Sequence, residues 1–256
     1  MKKNIYTLLV FFSFALASIR VDAQETYMVN ATNLNVRESP SINGKLLGQL
    51  SKGTIVSVVD TSNRTWWQIS FYGTEGYVSA SLLIKIEDVE EYKDWKKESA
   101  NTGDNPECEN IIPKYDYEMD NELLIHVGNT ADAIVKLMSY SGSCIRIAYI
   151  KAGDSYSMKN IPEGTYYLRI AYGKDFRKNI SNGQCIVKFL VDPSYKEGSS
   201  TLDYRKVKKP NTYINGHEYE NWTLPSFELS LNVEYGNDDG FNTLKSSKIS
   251  EDQFNK

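Results

Sequence analysis

The chain has 256 residues, 41% hydrophobic and 24% charged, which is typical of a globular protein long enough for two small domains. Its formal net charge of -4 argues against a nucleic-acid partner, because such partners are bound through an excess of basic side chains. Tyrosine is abundant, with 18 residues, and long amphipathic stretches are few, so we predict an all-β protein.

Residues 1–23 have the pattern of a secretory signal peptide. Lys2 and Lys3 form a basic head, an apolar run spans Ile5–Ile19, and small residues precede a cleavage position after Ala23. The alternative is a membrane anchor, but the apolar run is shorter than the ~20 residues that a spanning helix needs. We therefore expect cleavage after Ala23, a periplasmic or secreted location, and no membrane span in the mature chain.

Residues 24–86 have turn signals at the spacing of a small β-barrel. Pro40, Gly53 and Gly76 interrupt short stretches that are rich in apolar and β-branched residues. Within Trp66–Phe71, a two-residue period places the second, fourth and sixth side chains on one face, which we interpret as the core face. Five or six short strands in this space predict a closed barrel and leave no room for a parallel sheet.

The order of these features resembles that of a bacterial Src-homology-3-like domain. Six features occur in the family's order: Leu34-Asn35-Val36-Arg37, Pro40, Leu50 with Gly53, Trp67, Gly76-Tyr77-Val78, and Leu82-Leu83. The resemblance implies a module that binds a cell-wall or cell-surface ligand, often a peptidoglycan peptide, and serves as an accessory to another domain. The family often has tryptophan at the position of Tyr77, and tyrosine keeps an aromatic wall there.

The same resemblance implies which residues bind the ligand. The family uses a groove beside its long first loop, so Trp66, Tyr72 and Tyr77 are expected to be aromatic walls. Asn35 and Arg37 are the expected polar partners. The alternative for Trp66 is that it only shields the barrel.

Residues 87–107 form a charged connector. Val89, Tyr92 and Trp95 recur at three-residue intervals, which we interpret as a short helix within residues 87–97. Residues 99–106 contain Asn, Gly, Asp and Pro without periodicity and predict a linker. A solvated connector is the simplest interpretation, and a docking site for a partner is the alternative.

Residues 108–235 predict a second, antiparallel β-domain. Candidate strands with turn residues between them are Glu122–Val127, Ala133–Met138, Cys144–Ile150, Tyr156–Lys159, Thr165–Tyr172, Cys185–Val191 and Phe227–Val233. Such a series predicts a β-sandwich. The Asn-x-Pro-x-Gly-x-Tyr turn at residues 160–166 loosely resembles immunoglobulin-like and transthyretin-like modules of secreted bacterial proteins. We interpret Tyr166, Tyr167 and Tyr172 as core rather than as an exposed binding face.

The last segment, residues 236–256, is polar and lacks hydrophobic periodicity. Residues 237–240 are Asn-Asp-Asp-Gly, and residues 245–248 are Lys-Ser-Ser-Lys. A segment of this composition has little apolar surface to bury. We therefore predict a disordered tail.

The reactive side chains are few, namely two histidines and three cysteines. Cys144 and Cys185 lie in predicted strands rather than at a helix start, which argues against a Cys–His nucleophile. In an exported protein they favour a Cys144–Cys185 disulfide, with Cys108 unpaired, and three free thiols are the alternative. No zinc or phosphate-binding motif occurs, so we expect no metal and no cofactor.

Two classes of function remain. The first is an exported, non-enzymatic binding protein of the cell envelope, whose partner is a cell-wall peptide or glycan, or an envelope protein. The second is a β-sandwich enzyme or enzyme inhibitor, for which the barrel is the targeting arm. An enzyme needs titratable groups that converge in one cleft, and no such set is evident in the sequence, so we expect no enzyme.

Overall fold

The structure, a computed structural model, describes residues 25–232 and 246–256. The predicted signal peptide, residues 1–23, lies outside the described residues. Within the described ranges, no helix is long and apolar enough to cross a membrane. The predicted all-β fold is confirmed, because strands dominate both halves of the chain.

The N-terminal half is a small antiparallel barrel. Its strands are β1 (Glu25–Val29), β2 (Asn33–Arg37), β3 (Leu46–Ser51), β4 (Ile55–Asp60), β5 (Trp66–Phe71), β6 (Thr74–Ser79) and β7 (Leu83–Lys85). They form one sheet in the order β3-β2-β6-β5-β4-β1-β7. The buried core includes Leu34, Val36, Ile69 and Val78, with Trp67 packed against it. The alternation predicted for β5 is therefore confirmed.

Two glycines leave room for side chains of the barrel core. A Cβ at Gly76 in β6 would collide with Val36 Cγ1 of β2. A Cβ at Gly48 in β3 would stand 2.7 Å from Cζ of Phe71, whose ring lies over that position. A larger side chain at either position would displace Val36 or Phe71 from its place in the core.

The connector contains turns instead of the predicted helix. The Tyr92 N–H donates to the Val89 carbonyl and the Trp95 N–H donates to the Tyr92 carbonyl, both at 2.9 Å. These bonds span three residues, as in a 3₁₀ turn, whereas an α-helix needs bonds that span four. The three-residue interval of Val89, Tyr92 and Trp95 therefore reflects successive 3₁₀-type turns and not an α-helix. The turns end at a short strand, β8 (Lys96–Lys97).

The connector is also tied to the second domain, although most of its charged side chains remain exposed. Its acidic side chains form ion pairs with basic side chains of the second domain: Glu87 with Arg177, and Glu98 and Glu107 with Lys178, at 2.7–2.8 Å. Just after the connector, Glu109 pairs with Lys136 at 2.7 Å. The Gly103 N–H donates to the Tyr149 carbonyl at 2.8 Å. The acidic run thus neutralises basic residues that lie far away in the sequence.

The second domain is the predicted β-sandwich. Its elements are β9 (Glu122–Val127), β10 (Asp132–Ser139), β11 (Cys144–Ile150), β12 (Ser155–Lys159), β13 (Thr165–Ser181), β14 (Gln184–Gly198), β15 (Leu202–Asp203), β16 (Val207–Ile214), β17 (His217–Thr223), β18 (Phe227–Leu231), β19 (Ser246–Lys248) and α1 (Glu251–Asn255). The main sheet runs β11-β10-β13-β14-β19, and a smaller sheet runs β12-β9-β18. The β9–β18 pair is parallel, unlike the other pairs of these sheets.

The main sheet is buried on both faces. On one face, Val135, Leu168 and Ile170 pack against Leu123 and other apolar residues of the smaller sheet. The opposite face is covered by the connector and α1, where the buried residues are Ile134, Ile147, Tyr149, Ala171, Phe176, Val187, Phe189 and Phe254. The predicted core placement of Tyr166 and Tyr172 is confirmed, since they are 6% and 1% exposed, whereas Tyr167 is half-buried.

The C-terminal residues 246–256 are ordered, which corrects part of the predicted disordered tail. β19 pairs with β14, and α1 begins with a capping box between Ser250 and Gln253. Phe254 is 3% exposed and packs against the outer face of the main sheet. One aromatic side chain and a capping box therefore fix a segment that is polar overall. Residues 236–245 lie outside the described residues, so the prediction is not tested there.

The disulfide joins Cys108 to Cys185, with 5.0 Å between their Cα atoms, and Cys144 is free. The predicted Cys144–Cys185 bond is therefore wrong. Cys144 lies on β11 and Cys185 on β14, and two strands, β10 and β13, separate them. Three strand spacings amount to about 14 Å, which is beyond the reach of a disulfide.

The barrel contacts the sandwich through the outer face of β1 and β4. Thr26 and Ser57 point away from the barrel core yet are each only 2% exposed, and β4 contacts β14. Lys174 Nζ of β13 donates to Ser70 Oγ of β5 at 3.0 Å. Arg37 and Tyr77, which face each other on β2 and β6, take part in none of these contacts.

Candidate functional site

The candidate site is the outer face of β2, β6 and β5, which we call the barrel face. It is defined by Asn35, Arg37, Trp66, Gln68 and Tyr77. In the strand register, Arg37 lies opposite Tyr77, and Tyr77 lies opposite Gln68. Trp66 lies opposite Ser79, which makes it a diagonal neighbour of Tyr77 at a spacing of about 7–8 Å. The structure thus brings together four of the five predicted residues.

The packed barrel core determines the direction in which these side chains point. Val36, Ile69 and Val78 alternate with the barrel-face residues along the three strands and are fully buried. Because neighbouring side chains in a strand point to opposite faces, the packed core determines which side chains point outward. The binding face is therefore built on rigid strands rather than on loops.

Hydrogen bonds orient the two predicted polar partners. Arg37 Nη1 donates to the Gly44 carbonyl at 2.7 Å, which ties the guanidinium to the first loop. Asn35 Oδ1 accepts from Gln49 Nε2 at 2.8 Å. Arg37 retains further N–H donors, and a guanidinium can bind a carboxylate with two of them.

The structure does not bring Tyr72 to the barrel face. Tyr72 lies in the β5–β6 turn with a positive φ of 47°, and its ring packs edge-on against Phe71 at 4.6 Å. It is 63% exposed, at the opposite end of β5 from Trp66. Six residues of extended strand separate the two by about 20 Å. The expectation that Tyr72 forms a wall of the same groove is therefore corrected.

Two residues of the site were missed by the sequence reasoning. Gln68 lies between Trp66 and Tyr77 on the barrel face, and the two-residue period of β5 could have identified it. Leu46 of β3 lies opposite Arg37 and is 50% exposed, so it extends the row by one strand. Finding Leu46 required the β2–β3 register, which includes a shift between Val36 and Arg37.

The comparisons identify the barrel. Residues 32–84 match the family model described as the bacterial SH3 domain. The barrel is a bacterial SH3 domain. The predicted resemblance is thus confirmed for this part of the chain.

A curated relative shares this domain. The uncharacterized protein YfhK of Bacillus subtilis strain 168 is 37% identical over 68 residues, which make up 27% of this chain and 40% of the relative. The chain therefore matches less than half of that protein's length. The SH3 domain is typical of extracellular and cell-envelope proteins and suggests a cell-wall role.

Outside the SH3 domain, one polar cluster has the composition of a hydrolytic triad. His126 Nδ1 lies 2.7 Å from Ser155 Oγ, and His126 Nε2 lies 2.9 Å from Glu228 Oε1. The three residues occupy adjacent strands on the solvent face of the smaller sheet, where Glu228 is 69% exposed. Water-excluded geometry gives a triad its catalytic power, so this open arrangement is a cross-strand polar ladder.

The cysteines have no features of a nucleophile. Cys185 is oxidised in the disulfide. Burial raises the pKa of the Cys144 thiol to about 11, and its Sγ donates to the Arg146 carbonyl at 3.2 Å. A thiol with this pKa is protonated at neutral pH and reacts slowly. Within residues 25–232 and 246–256, no cluster of three or more His, Cys, Asp or Glu residues could hold a metal ion.

Proposed function

We propose that this protein is an exported, non-catalytic binding protein of the bacterial cell envelope, and that its SH3 domain recognises a peptidoglycan-type peptide. The observation that carries the proposal is the barrel face. On a domain typical of envelope proteins, it presents Trp66 and Tyr77 as neighbours and Arg37 in the same row.

The side chains of the barrel face match the chemistry of a short peptide. Trp66 and Tyr77 offer flat apolar surfaces with polar edges, which pack against aliphatic side chains and peptide planes. Arg37 suits a carboxylate, such as a peptide C-terminus. Gln68 and Asn35 each have an amide that can bond to peptide groups. In this proposal the aromatic rings give contact area and Arg37 gives orientation.

Two features support an envelope location. Residues 1–23 have the sequence pattern of a signal peptide. The Cys108–Cys185 disulfide fits an oxidising compartment, because structural disulfides are rare in the cytosol.

The solvent-exposed ladder at His126 and the protonated Cys144 support a role without catalysis.

The test is retention by purified peptidoglycan. We would compare the wild-type chain without residues 1–23 with Trp66→Ala, Tyr77→Ala and Tyr72→Ala variants in a sedimentation assay. Loss of retention is expected for Trp66→Ala and Tyr77→Ala. Tyr72→Ala is the matched control, because Tyr72 is an exposed aromatic residue of the same domain that lies away from the barrel face, and it should be retained.

The ligand class follows from competition in the same assay. Soluble stem peptides should release the wild-type protein, whereas glycan fragments without peptide should not. Circular dichroism of each variant checks that the barrel remains folded. Failure of the wild-type protein to bind peptidoglycan, or equal losses in all three variants, would contradict the proposal. Release by glycan fragments alone would shift the ligand to the sugar chain.

A further inference from the structure

A second exposed surface lies on the hairpin formed by β16 and β17. This hairpin pairs with no other strand among the described residues. Its exposed apolar residues, with exposures of 48–70%, are Val207, Tyr213, Ile214, Tyr219 and Trp222. By strand alternation, Val207, Ile214 and Tyr219 lie on one face of the hairpin, and Tyr213 and Trp222 lie on the other. An isolated two-stranded hairpin is only marginally stable in water, and this one exposes apolar side chains on both faces. The hairpin therefore has the features of a surface that a partner completes.

The two free edges of the hairpin differ. The β16 strand carries Lys208, Lys209 and Pro210, and its register shifts between Lys209 and Thr212. Charged side chains, lysine above all, protect a free edge against pairing with another strand, as do proline and bulges. The β17 strand, His-Glu-Tyr-Glu-Asn-Trp-Thr, has no lysine, proline or bulge, and its charged side chains are two glutamates, which oppose an acidic strand and attract a basic one. Only the β17 edge offers an uninterrupted run of backbone donors and acceptors.

Charge is also divided between the strands. Lys208 and Lys209 are on β16, whereas Glu218 and Glu220 are on β17. Asn211 Nδ2 and Tyr213 Oη donate to Glu218 Oε1 at 2.6 and 2.9 Å, and these hydrogen bonds lower the pKa of Glu218. Lys208 Nζ lies 2.7 Å from Glu220 Oε1. The Glu218 and Glu220 carboxylates each have acceptor positions left for a further donor.

We propose that the free edge of β17 binds an extended polypeptide strand of a partner protein, with basic side chains of that strand facing Glu218 and Glu220. Backbone hydrogen bonds would add the strand to the sheet, and the alternate side chains would give specificity. Opposite charges in facing positions of neighbouring strands are favourable. Apolar residues that alternate with the basic ones would cover Tyr219, which lies on the opposite face of β17 from the two carboxylates. Trp222 lies on the same face as the carboxylates, where a basic side chain can stack on its ring.

A second copy of this chain does not satisfy the same rules. Two β17 edges would bring four carboxylates together near the centre of the new pair, where like charges are destabilising. Pairing of β17 with β16 of another copy would match the charges. However, Pro210 and the register shift interrupt the β16 edge. The charges and the edge protection together favour a different polypeptide, and the inference does not depend on the ligand of the SH3 domain.

Peptide binding to the chain without residues 1–23 tests the proposal. The probe is a fluorescein-labelled peptide of about ten residues in which lysine alternates with valine and threonine. One control peptide has glutamate in place of lysine, and another has two central prolines. Fluorescence anisotropy should show binding of the lysine peptide, and little or none of the controls. Trp66→Ala should bind the lysine peptide as the wild type does.

A charge exchange distinguishes recognition from a folding defect. The double variant Glu218→Lys with Glu220→Lys should bind the lysine peptide about tenfold more weakly and should now prefer the glutamate peptide. A merely unfolded hairpin would lose both peptides. In hydrogen exchange, the lysine peptide should protect amides of residues 217–223 in the wild type.

Several results would overturn the proposal. These are no binding of the lysine peptide, equal binding of the proline peptide, absence of protection in β17, or no change of preference in the double variant. Dimerisation of the wild type that the double variant abolishes would assign the edge to a second copy instead.

Discussion

Two hairpins of this protein have the same turn but opposite surroundings. β13 and β14 are joined by Asn182-Gly183, with φ of 51° and 75°, and β16 and β17 are joined by Asn215-Gly216, with φ of 52° and 81°. Positive φ at both central residues is the mark of the type I′ turn, which matches the twist of antiparallel strands. Local chemistry therefore specifies both hairpins equally well.

Their surroundings differ in every other respect. β13 contributes buried side chains to both faces of the main sheet, β14 contributes Val187 and Phe189 to one of them, and Cys185 ties β14 to Cys108, which follows the connector. β16 and β17 are exposed along most of their length. The comparison teaches that an Asn-Gly turn sets the register of a hairpin, whereas packing decides how much the hairpin contributes to global stability. The following predictions test this distinction, from the largest expected effect to the smallest.

Substitution of Arg177, in the packed hairpin, should give the largest loss in the free energy of unfolding. Arg177 of β13 is 1% exposed and donates to Asp175, Glu87 and the Trp95 carbonyl at 2.8, 2.8 and 3.1 Å. Arg177→Ala removes the guanidinium from the buried Asp175 carboxylate and leaves it only the more distant Lys97 Nζ at 4.0 Å, so we expect a loss of about 3–5 kcal/mol in the free energy of unfolding. Urea denaturation measures it.

The matched substitution is Trp222→Ala on β17. Its side chain is 48% exposed, so the free energy of unfolding should change by no more than about 0.5 kcal/mol. Equal effects of the two substitutions would show that β16–β17 is part of the cooperative core.

Removal of the disulfide should lower the stability of the packed hairpin, β13–β14, and leave the exposed hairpin, β16–β17, unchanged. Replacement of Cys108 and Cys185 by serine frees a closed loop with a sequence separation of 77 residues. We expect a loss of about 2–4 kcal/mol, measured as a lower Tm. Cys144→Ala is the control, and its Tm should still fall on addition of reductant. Faster hydrogen exchange in residues 207–223 of the double serine variant would contradict the independence of the exposed hairpin.

Glycine-to-alanine substitutions in the two turns give the closest comparison. A Cβ at Gly183 or Gly216 meets no neighbouring atom, so the cost comes from the positive φ alone and is about 1 kcal/mol at each site. Gly183→Ala should lower the Tm. Gly216→Ala should accelerate exchange within residues 207–223 and leave the Tm unchanged. A similar drop in Tm for both variants would be the opposite result.

Acid should weaken the ion pair between Glu87 and Arg177 of β13. The expected loss in the free energy of unfolding is about 1 kcal/mol or less, because the Glu87 side chain is 53% exposed. Burial alone would raise the pKa of Glu87, but the hydrogen bond and charge of Arg177 lower it overall below 4.5. A lowered carboxyl pKa gives stability that is present above pH 4.5 and is lost as the pH falls through the folded-state value. Glu87→Gln should therefore show a shallower fall in Tm between neutral and acidic pH. An unchanged profile would exclude this ion pair.

Short-range patterns in the sequence predicted much of the barrel. Alternation in β5, the turn glycine Gly53 with its φ of 85°, and the ordered motifs of the SH3 family all depend on residues close together in the chain. Four of the five proposed site residues share one face for the same reason. Tyr72 was misplaced because a loop residue at a strand end obeys no period.

Long-range pairings were not predictable in this way. The partner of Cys185 depends on the order of strands in the main sheet, and the basic partners of Glu87 and Glu107 lie 90 and 71 residues away in the sequence. The exposed hairpin, β16–β17, differs from these long-range pairings, because the local sequence Asn215-Gly216 indicates its turn. An Asn-Gly pair between β-prone stretches is a strong local indication of a hairpin.

The parallel pairing of β18 with β9 has a kinetic consequence. The Glu122 N–H donates to Ser226 Oγ across 104 residues, and Leu229 and Leu231 complete the core between the two sheets. Contacts of such long range form slowly, because the closure entropy of the intervening loop must be overcome first. The sandwich therefore completes its fold only after β18 has been synthesised. Until then, the edge of β9 and its apolar side chains are exposed and prone to aggregation.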